Sequence, residues 1–429
     1  MLHIPPSLKH KKFFYLWLGQ LISITGTQMQ LWALFWHISQ LNKNPIALGG
    51  IGLSRIIPVI IFSLIGGALA DSVDRRKVMF VTQSMAALLA LTLGLLTQFG
   101  QVTIWHIYVI TAMQAIAVAF DGPSRQALIP NLVPKEDLPN AFSMTFTSFQ
   151  FGSVLGPALS GFVIAWAGQH SVYYFNAISF ASVLFALFLI GEIPQTFAEK
   201  SAGVSVQAIR EGIQFILSKP IILSSMMLDF VATFFASANT LMPLIATNVL
   251  KVGVVEYGYL SAAPAVGAVI VALIISQVKV IRKQGPMFLG AVIVFGLATI
   301  LFGATKSFIV AWFAIATTGA ADGVSTIIRN TIRQLQTPDH IRGRMTGINQ
   351  MFFQGGPQLG EMEAGAAAQL WGAPFAVISG GIGCIVGTLL VIWKWPQLIK
   401  FNGDEPIDMG TIGPPSTGAS IMTSRARRP

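Results

Sequence analysis

Apolar residues dominate from Phe13 to Trp395, interrupted only by short polar segments. A helix of about 20 apolar residues matches the ~30 Å hydrocarbon core of a bilayer. The pattern predicts twelve such helices, at Phe13–Ser39, Ile46–Ala70, Lys77–Phe99, Val102–Phe120, Asn140–Ala167, Val172–Gly191, Pro220–Leu250, Tyr257–Val278, Pro286–Thr305, Phe308–Ile328, Met345–Leu370 and Pro374–Trp395. The polar breaks alternate in charge. Of 27 lysines and arginines, three (Lys43, Lys251 and Lys306) fall on one side, Arg55 lies within a helix, and the rest lie on the side of the N-terminus. The positive-inside rule therefore puts both termini in the cytoplasm.

Composition agrees with a multi-pass membrane protein. The 429 residues are 53% hydrophobic and 10% charged, with mean hydropathy +0.67, where a soluble domain carries about 25% charged residues. The net charge of +10 lines one membrane face, so it does not indicate a nucleic-acid partner. A single cysteine, Cys384, excludes a disulfide framework or a cysteine-based metal site and reads as a small apolar packer. No cofactor and no metal are expected. No G-x-x-x-x-G-K-S/T phosphate loop occurs, and no cluster of nucleophile, base and orienting group suggests an enzyme.

The longest polar interruption divides the chain into 1–192, a six-helix bundle; 193–219, a cytoplasmic linker; 220–400, a second six-helix bundle; and 401–429, a Gly/Pro/Ser/Thr-rich tail expected to be disordered. In the linker, Val206, Ile209, Ile213, Ile216 and Leu217 recur at helical spacing opposite Arg210, Glu211 and Gln214, as in a helix lying on a membrane surface. The halves echo each other about 200 residues apart: Asp121-Gly122 against Asp322-Gly323, and Gly156-Pro157 against Gly356-Pro357. The predicted fold is an all-α membrane protein of two pseudo-symmetric six-helix bundles, and parallel repeats of this kind are a known transporter plan.

Between helices two and three the chain reads Gly66-Gly67-Ala68-Leu69-Ala70-Asp71-Ser72-Val73-Asp74-Arg75-Arg76-Lys77. This segment resembles the signature loop of the major facilitator superfamily, with Gly67, Leu69, Asp71, Asp74, Arg75 and Arg76 as the gating residues. The resemblance implies that Asp71 holds the N-terminus of helix eleven near Gly343-Arg344 and locks the cytoplasmic side. Helix five carries Gly152, Gly156, Pro157 and Gly161, similar to the exporter motif of that superfamily, a small-residue face suited to rocking contact. The stretches Ala119–Pro130 and Leu132–Ala141 resemble the branch of enterobactin exporters and macrolide efflux proteins. Many superfamily antiporters place an Arg within helix four, whereas Met113 and Gln114 stand there in this chain.

A charge at the bilayer centre costs about 2.5–3.5 kcal/mol, so each one needs a partner or a water-filled cavity. Arg55, Asp229, Glu361 and Glu363 are the candidates for proton or substrate contact. In the superfamily fold helices two and eleven meet, so Arg55 is expected to pair with Glu361 or Glu363. Asp121 and Asp322, at what the pattern makes the cytoplasmic ends of helices four and ten, are expected to be structural charges paired with Arg125 and Arg329. Trp32, Trp36, Phe234, Phe235, Met351, Phe352 and Phe353 could line a hydrophobic cavity or simply pack. The resemblance implies a bacterial inner-membrane exporter, monomeric, moving a small organic molecule, a siderophore or an amphipathic drug, against protons. An uptake permease of the same fold and a non-transporting receptor or scaffold are the alternatives.

Overall fold

The structure, a computed structural model, describes residues 5–193, 213–236, 238–278, 282–337 and 339–403. Among these residues the chain forms twelve helices of 16 residues or more: α1 (Lys11–Leu41), α2 (Ile46–Ser72), α3 (Arg75–Gln98), α4 (Ile104–Leu128), α5 (Leu138–Ala167), α6 (Gln169–Ile190), α7 (Pro220–Phe235), α8 (Val254–Ser276), α9 (Gln284–Ala304), α10 (Phe308–Gln336), α11 (Asp339–Trp371) and α12 (Ala373–Lys394). Among the described residues ten spans are long and apolar enough to cross a membrane. The other two helices, α1 and α11, are diluted by polar residues: Gln20, Gln28, Gln30 and His37 in one, Gln358, Glu361 and Glu363 in the other.

Several boundaries move from the hydropathy pattern. The helices α4 and α10 run on to Leu128 and Gln336, and α11 starts at Asp339 rather than Met345. Hydropathy marks where the bilayer ends, whereas a helix continues through charged residues that are good helix formers. The expected single helix Pro220–Leu250 is broken. After Phe235 it resumes as short turns, Ala238–Leu241 and Met242–Leu244, and a π-helical turn, Ile245–Val249. Pro243 has no N–H and crowds the preceding turn, which accounts for the irregular winding.

Helix packing repeats with a shift of six. In the first set α1 packs on α5 and α6, α2 on α4, and α3 on α4 and α6; in the second α7 packs on α11 and α12, α8 on α10, and α9 on α10 and α12. The turns after α5 and α11 are equivalent as well. Gly168 (φ 82°) and Gly372 (φ 86°) close them in a left-handed conformation that side chains disfavour. Two seams join the sets, α2 against α11 and α5 against α8.

The core shows how the seams are used. One cluster of buried apolar residues spans both sets at the end that carries the α1–α2 and α7–α8 connections, and includes Phe35, Ile51, Met242, Tyr257 and Ala364. At the opposite end, which carries the α2–α3 and α4–α5 connections, the described core separates into clusters confined to one set each, with one large cluster in each set. Phe13, Leu16, Met79 and Leu128 belong to one, and Leu228, Phe288, Ile332 and Leu398 to the other. The two sets are therefore welded at one end, called here the closed end, and separately cored at the other, the basic end. Cys384 is buried in the second of these clusters, where its Sγ lies 3.7 Å from the Val292 carbonyl.

The amphipathic linker lies largely outside the described residues, as does the tail beyond Gly403. Residues 213–218 are helical. There Phe215 and Ile216 are buried against Ile222, Met226 and Met345, while Ile213 and Leu217 are exposed. Phe215 and Ile216 thus contact α7 and α11.

Candidate functional site

Among the described residues, an ion pair crosses the inter-set seam at one place. Arg55, nine residues beyond the start of α2, places Nη1 3.6 Å from Glu361 Oε1 on α11. Glycines on α2 make the approach possible: a Cβ on Gly49 would stand 2.8 Å from the Glu361 carbonyl oxygen, and one on Gly52 2.9 Å from the Glu361 side chain. Glu361 is 6% exposed, and its Oε2 has no hydrogen-bond partner among the described residues. Glu363 lies two residues on, half-buried and without an ion pair among the described residues. Of the two expected partners for Arg55, the structure selects Glu361.

The second set contains a denser cluster. Arg329 of α10 forms an ion pair with Asp229 of α7, and both side chains are buried. Arg329 Nη2 also donates to Thr326 Oγ1 at 2.8 Å and lies 4.0 Å from Asp322 Oδ1. Thr326 in turn hydrogen-bonds Asp322. A sequence expectation changes here: Arg329 approaches Asp229 more closely than Asp322. Asp322 also sits midway along the 29-residue α10 instead of at its end, because the helix continues beyond Ile328. Sequence distance hid the Asp229–Arg329 pair, which only the α7–α10 contact reveals. Next to it a cavity of about 10 Å³, room for about one water, is lined by Asp229, Thr233, Val292, Phe295, Asp322 and Ser325.

Its counterpart in the first set is held by more hydrogen bonds. Asp121 is buried, accepts hydrogen bonds from Gln83 Nε2 (2.9 Å) and Thr82 Oγ1 (3.2 Å), and lies 3.8 Å from Arg125 Nε. It is inside α4 rather than at its end. Uncharged amides occupy the rest of this interior. Gln30 Nε2 donates to Gln114 Oε1, and Asn176 Nδ2 donates to Gln30 Oε1, both at 2.7 Å, while Ser179 donates to Asn176 Oδ1 at 2.9 Å. Gln30, Asn176 and Ser179 were missed in the sequence; the signal for them was Gln114, standing where an Arg was anticipated.

At the basic end Asp74 caps α3, accepting from the Arg76 N–H at 3.0 Å. Arg75 Nη1 donates to the Ala127 carbonyl and to Asn131, and Arg76 Nε donates to the Leu187 carbonyl, which ties α3 to α4 and α6 of its own set. The side chains of Asp71 and of residues 341–344 lie outside the described residues. Because α11 begins at Asp339, Gly343 and Arg344 fall in its second turn rather than at its N-terminus. In α5, Gly152 and Gly156 meet α1 at Thr25 and Met29, whereas Gly161 meets Val254 and Gly258 of α8 across the seam.

A family model for transmembrane secretion effectors matches residues 5–406, nearly the whole chain. The chain belongs to that family of major facilitators. The MFS-type transporter YfiS of Bacillus subtilis (strain 168) is 25% identical over 387 residues, covering 88% of this chain and 91% of the relative. The enterobactin exporter EntS of Shigella boydii serotype 18 is 24% identical over 343 residues, covering 80% and 82%. In fold, the chain resembles a bacterial homologue of the human lysosomal transporter Spinster in an inward-facing, unoccupied conformation, with a TM-score of 0.68 at 13% identity over 93% of this chain and 97% of that one. The nucleoside transporter NupG aligns with a TM-score of 0.63 at 14% identity over 91% and 99%.

As a major facilitator the protein is a multi-pass membrane transporter of small molecules. Two aromatic candidates for its cavity belong elsewhere. Trp32 and Trp36 lie 6.3 and 5.0 Å from the Tyr257 ring, whose hydroxyl donates to the Trp32 carbonyl at 3.0 Å, so they seal the closed end. Phe234 stacks on Phe230 and meets Phe235 edge-on. The side chains of Met351, Phe352 and Phe353 lie outside the described residues.

Proposed function

We propose that this major facilitator exports a small organic molecule, a siderophore or an amphipathic drug, by proton antiport and alternating access. It works as a monomer in a bacterial inner membrane with both termini in the cytoplasm. The observation that carries the reading is the Arg55–Glu361 pair. It joins the two sets at 3.6 Å, with one carboxylate oxygen unpartnered among the described residues, across a seam that must part when the closed end opens. A pair with a buried carboxylate whose partners sit on different moving bodies is a latch, since separating it leaves that charge uncompensated.

With the basic end in the cytoplasm, the welded end faces outward and the separately cored end receives cytoplasmic solute. The similarity to the enterobactin exporter supports outward movement and an organic cargo. The energy is adequate. One proton entering down 100 mV releases about 2.3 kcal/mol and each pH unit adds about 1.4, enough to concentrate a neutral solute more than a hundredfold. The mechanism then has three parts: solute enters from the basic end, proton uptake from outside accompanies opening of the α2–α11 and α5–α8 seams, and proton release inside restores the present state.

The test is transport in proteoliposomes, with enterobactin and ethidium as separate probes, under an imposed pH gradient. Movement of either probe against the proton flow, abolished by a protonophore, supports the reading. Transport that survives collapse of the gradient overturns antiport, and movement with the proton flow would make the protein an uptake permease.

A further inference from the structure

We infer that Asp322 is the residue that takes up and releases the coupled proton, and that Arg329 is the positioning residue that responds to it. This rests on the antiport reading and assigns its proton. Asp322 lies within the apolar stretch of α10, six residues before that stretch ends at Ile328, yet its side chain is 47% exposed. A carboxylate at that depth does not face lipid, so it faces an aqueous interior, and it lines a cavity with room for about one water.

Its neighbours define a two-position arrangement. Arg329 is shared between two carboxylates: it is in contact with Asp229, which is 4% exposed, and 4.0 Å from Asp322. The Thr326 hydroxyl lies between, accepting from Arg329 and donating to Asp322. Asp229 is engaged by the guanidinium and closed off, so the accessible carboxylate is Asp322. When a proton arrives, an O–H bond forms on Asp322, its negative charge disappears, and of the two carboxylates only Asp229 still attracts Arg329. When the proton leaves to water, the carboxylate draws Arg329 Nη2 and the Thr326 hydroxyl toward itself. The pull acts across the α7–α10 contact inside the second set.

Few other groups compete. Of the helices packed on α10, α7 contributes only Asp229, α9 contributes no titratable side chain, and on α8 Glu256, Tyr257 and Tyr259 lie at the closed end. On α10 itself Arg333 is turned back onto the Arg329 carbonyl at 3.2 Å and onto Asn330. The duplicated position shows the contrast. Asp121 is fixed by Thr82, Gln83 and Arg125, whereas the α9 side chains lining the Asp322 cavity are Val292 and Phe295, which offer no hydrogen bond.

Infrared difference spectroscopy on the purified full-length protein, labelled with carbon-13 at the aspartate carboxyl groups, tests the assignment with protons as the only ligand. Acidification is expected to produce an isotope-shifted protonated-carboxyl band in the wild type. Asp322→Asn is expected to remove it, Asp322→Glu to replace it with an unshifted band, and Asp229→Asn and Glu361→Gln to retain it. The Glu variant keeps the test valid if the Asn variant fails to fold. A shifted band that persists in Asp322→Glu, or no shifted band in the wild type, overturns the assignment even if transport is gradient-driven. Gradient-independent transport with the Asp322 band present instead overturns the coupling.

Discussion

Gly161 of α5 and Gly258 of α8 face each other across the seam between the two sets. A Cβ on Gly161 would stand 3.1 Å from Gly258 Cα and 2.6 Å from the Val254 carbonyl oxygen. The contact is backbone on backbone, so no rotamer change can absorb added bulk. The other seam has the same design, with a Cβ on Gly365 of α11 falling 3.2 Å from Gly49 Cα of α2. Small-residue faces of this kind let membrane helices approach closely.

Gly161→Leu is therefore expected to hold the closed end apart while leaving each six-helix set intact, because its clash is relieved by rocking one set against the other. Spin labels placed at Lys43 and Lys251, in the connections of the two sets at that end, should move apart, and transport should fall at least tenfold. Unchanged distances together with unchanged transport would show that the seam does not close in the working cycle.

The Arg55–Glu361 pair makes a different demand. Glu361→Gln removes the charge but keeps the shape, so the closed end should open more readily; a partly exposed latch of this kind is worth about 1–2 kcal/mol, roughly tenfold in the open-to-closed ratio. Arg55→Ala leaves the buried carboxylate alone and should be more damaging. The double exchange Arg55→Glu with Glu361→Arg should recover part of the loss. Label distances in the three variants distinguish a latch from passive packing, for which the exchange would be no better than either single change.

Much of this architecture was legible in the residues. Hydropathy located the helices because bilayer crossing depends on a local property, and the doubled Gly-Pro and Asp-Gly pairs exposed the repeat. Arg55 found Glu361 because the family resemblance brings helices two and eleven together. Asp229 did not find Arg329, since those positions are 100 residues apart and no local pattern reports contact between α7 and α10. The setting of Asp322 was only partly legible, because apolar counting ended α10 at Ile328 whereas the helix runs on to Gln336. The Gln114–Gln30–Asn176 chain was hidden because amides in a membrane helix carry no charge to draw attention.

For the Asp229–Arg329 pair, burial decides the magnitude. Either Asp229→Asn or Arg329→Gln strands a buried charge and should cost about 3 kcal/mol, with Asp322 softening the first by offering Arg329 a second carboxylate. The double variant should be less damaged than the sum of the singles, and that positive coupling is the measurable signature. Thermal unfolding in detergent of the wild type, both singles and the double supplies the cycle; strict additivity would deny that the two side chains interact.

The start of α3 and the start of α9 occupy equivalent places in the repeat, yet they are held by different means. Asp74 caps α3 with its own carboxylate. At α9, the Gly285 N–H donates to the Phe401 carbonyl at 2.9 Å, from a segment that follows α12 and its short helix Gln397–Lys400. Leu398 and Phe401 are buried in the second-set core, so this segment works as a strap whose side chains anchor it while its backbone completes the helix end. Asp74→Ala should cost about 1 kcal/mol, the usual worth of an N-cap. Phe401→Ala should cost about 3 kcal/mol or more, because it opens a cavity in addition to loosening the strap. Truncation after Pro396 should be worse still and should speed hydrogen exchange at the first turns of α9 while leaving α3 protected. Equal protection of α9 in the truncated and full-length chains would show that the strap contributes nothing to that helix end.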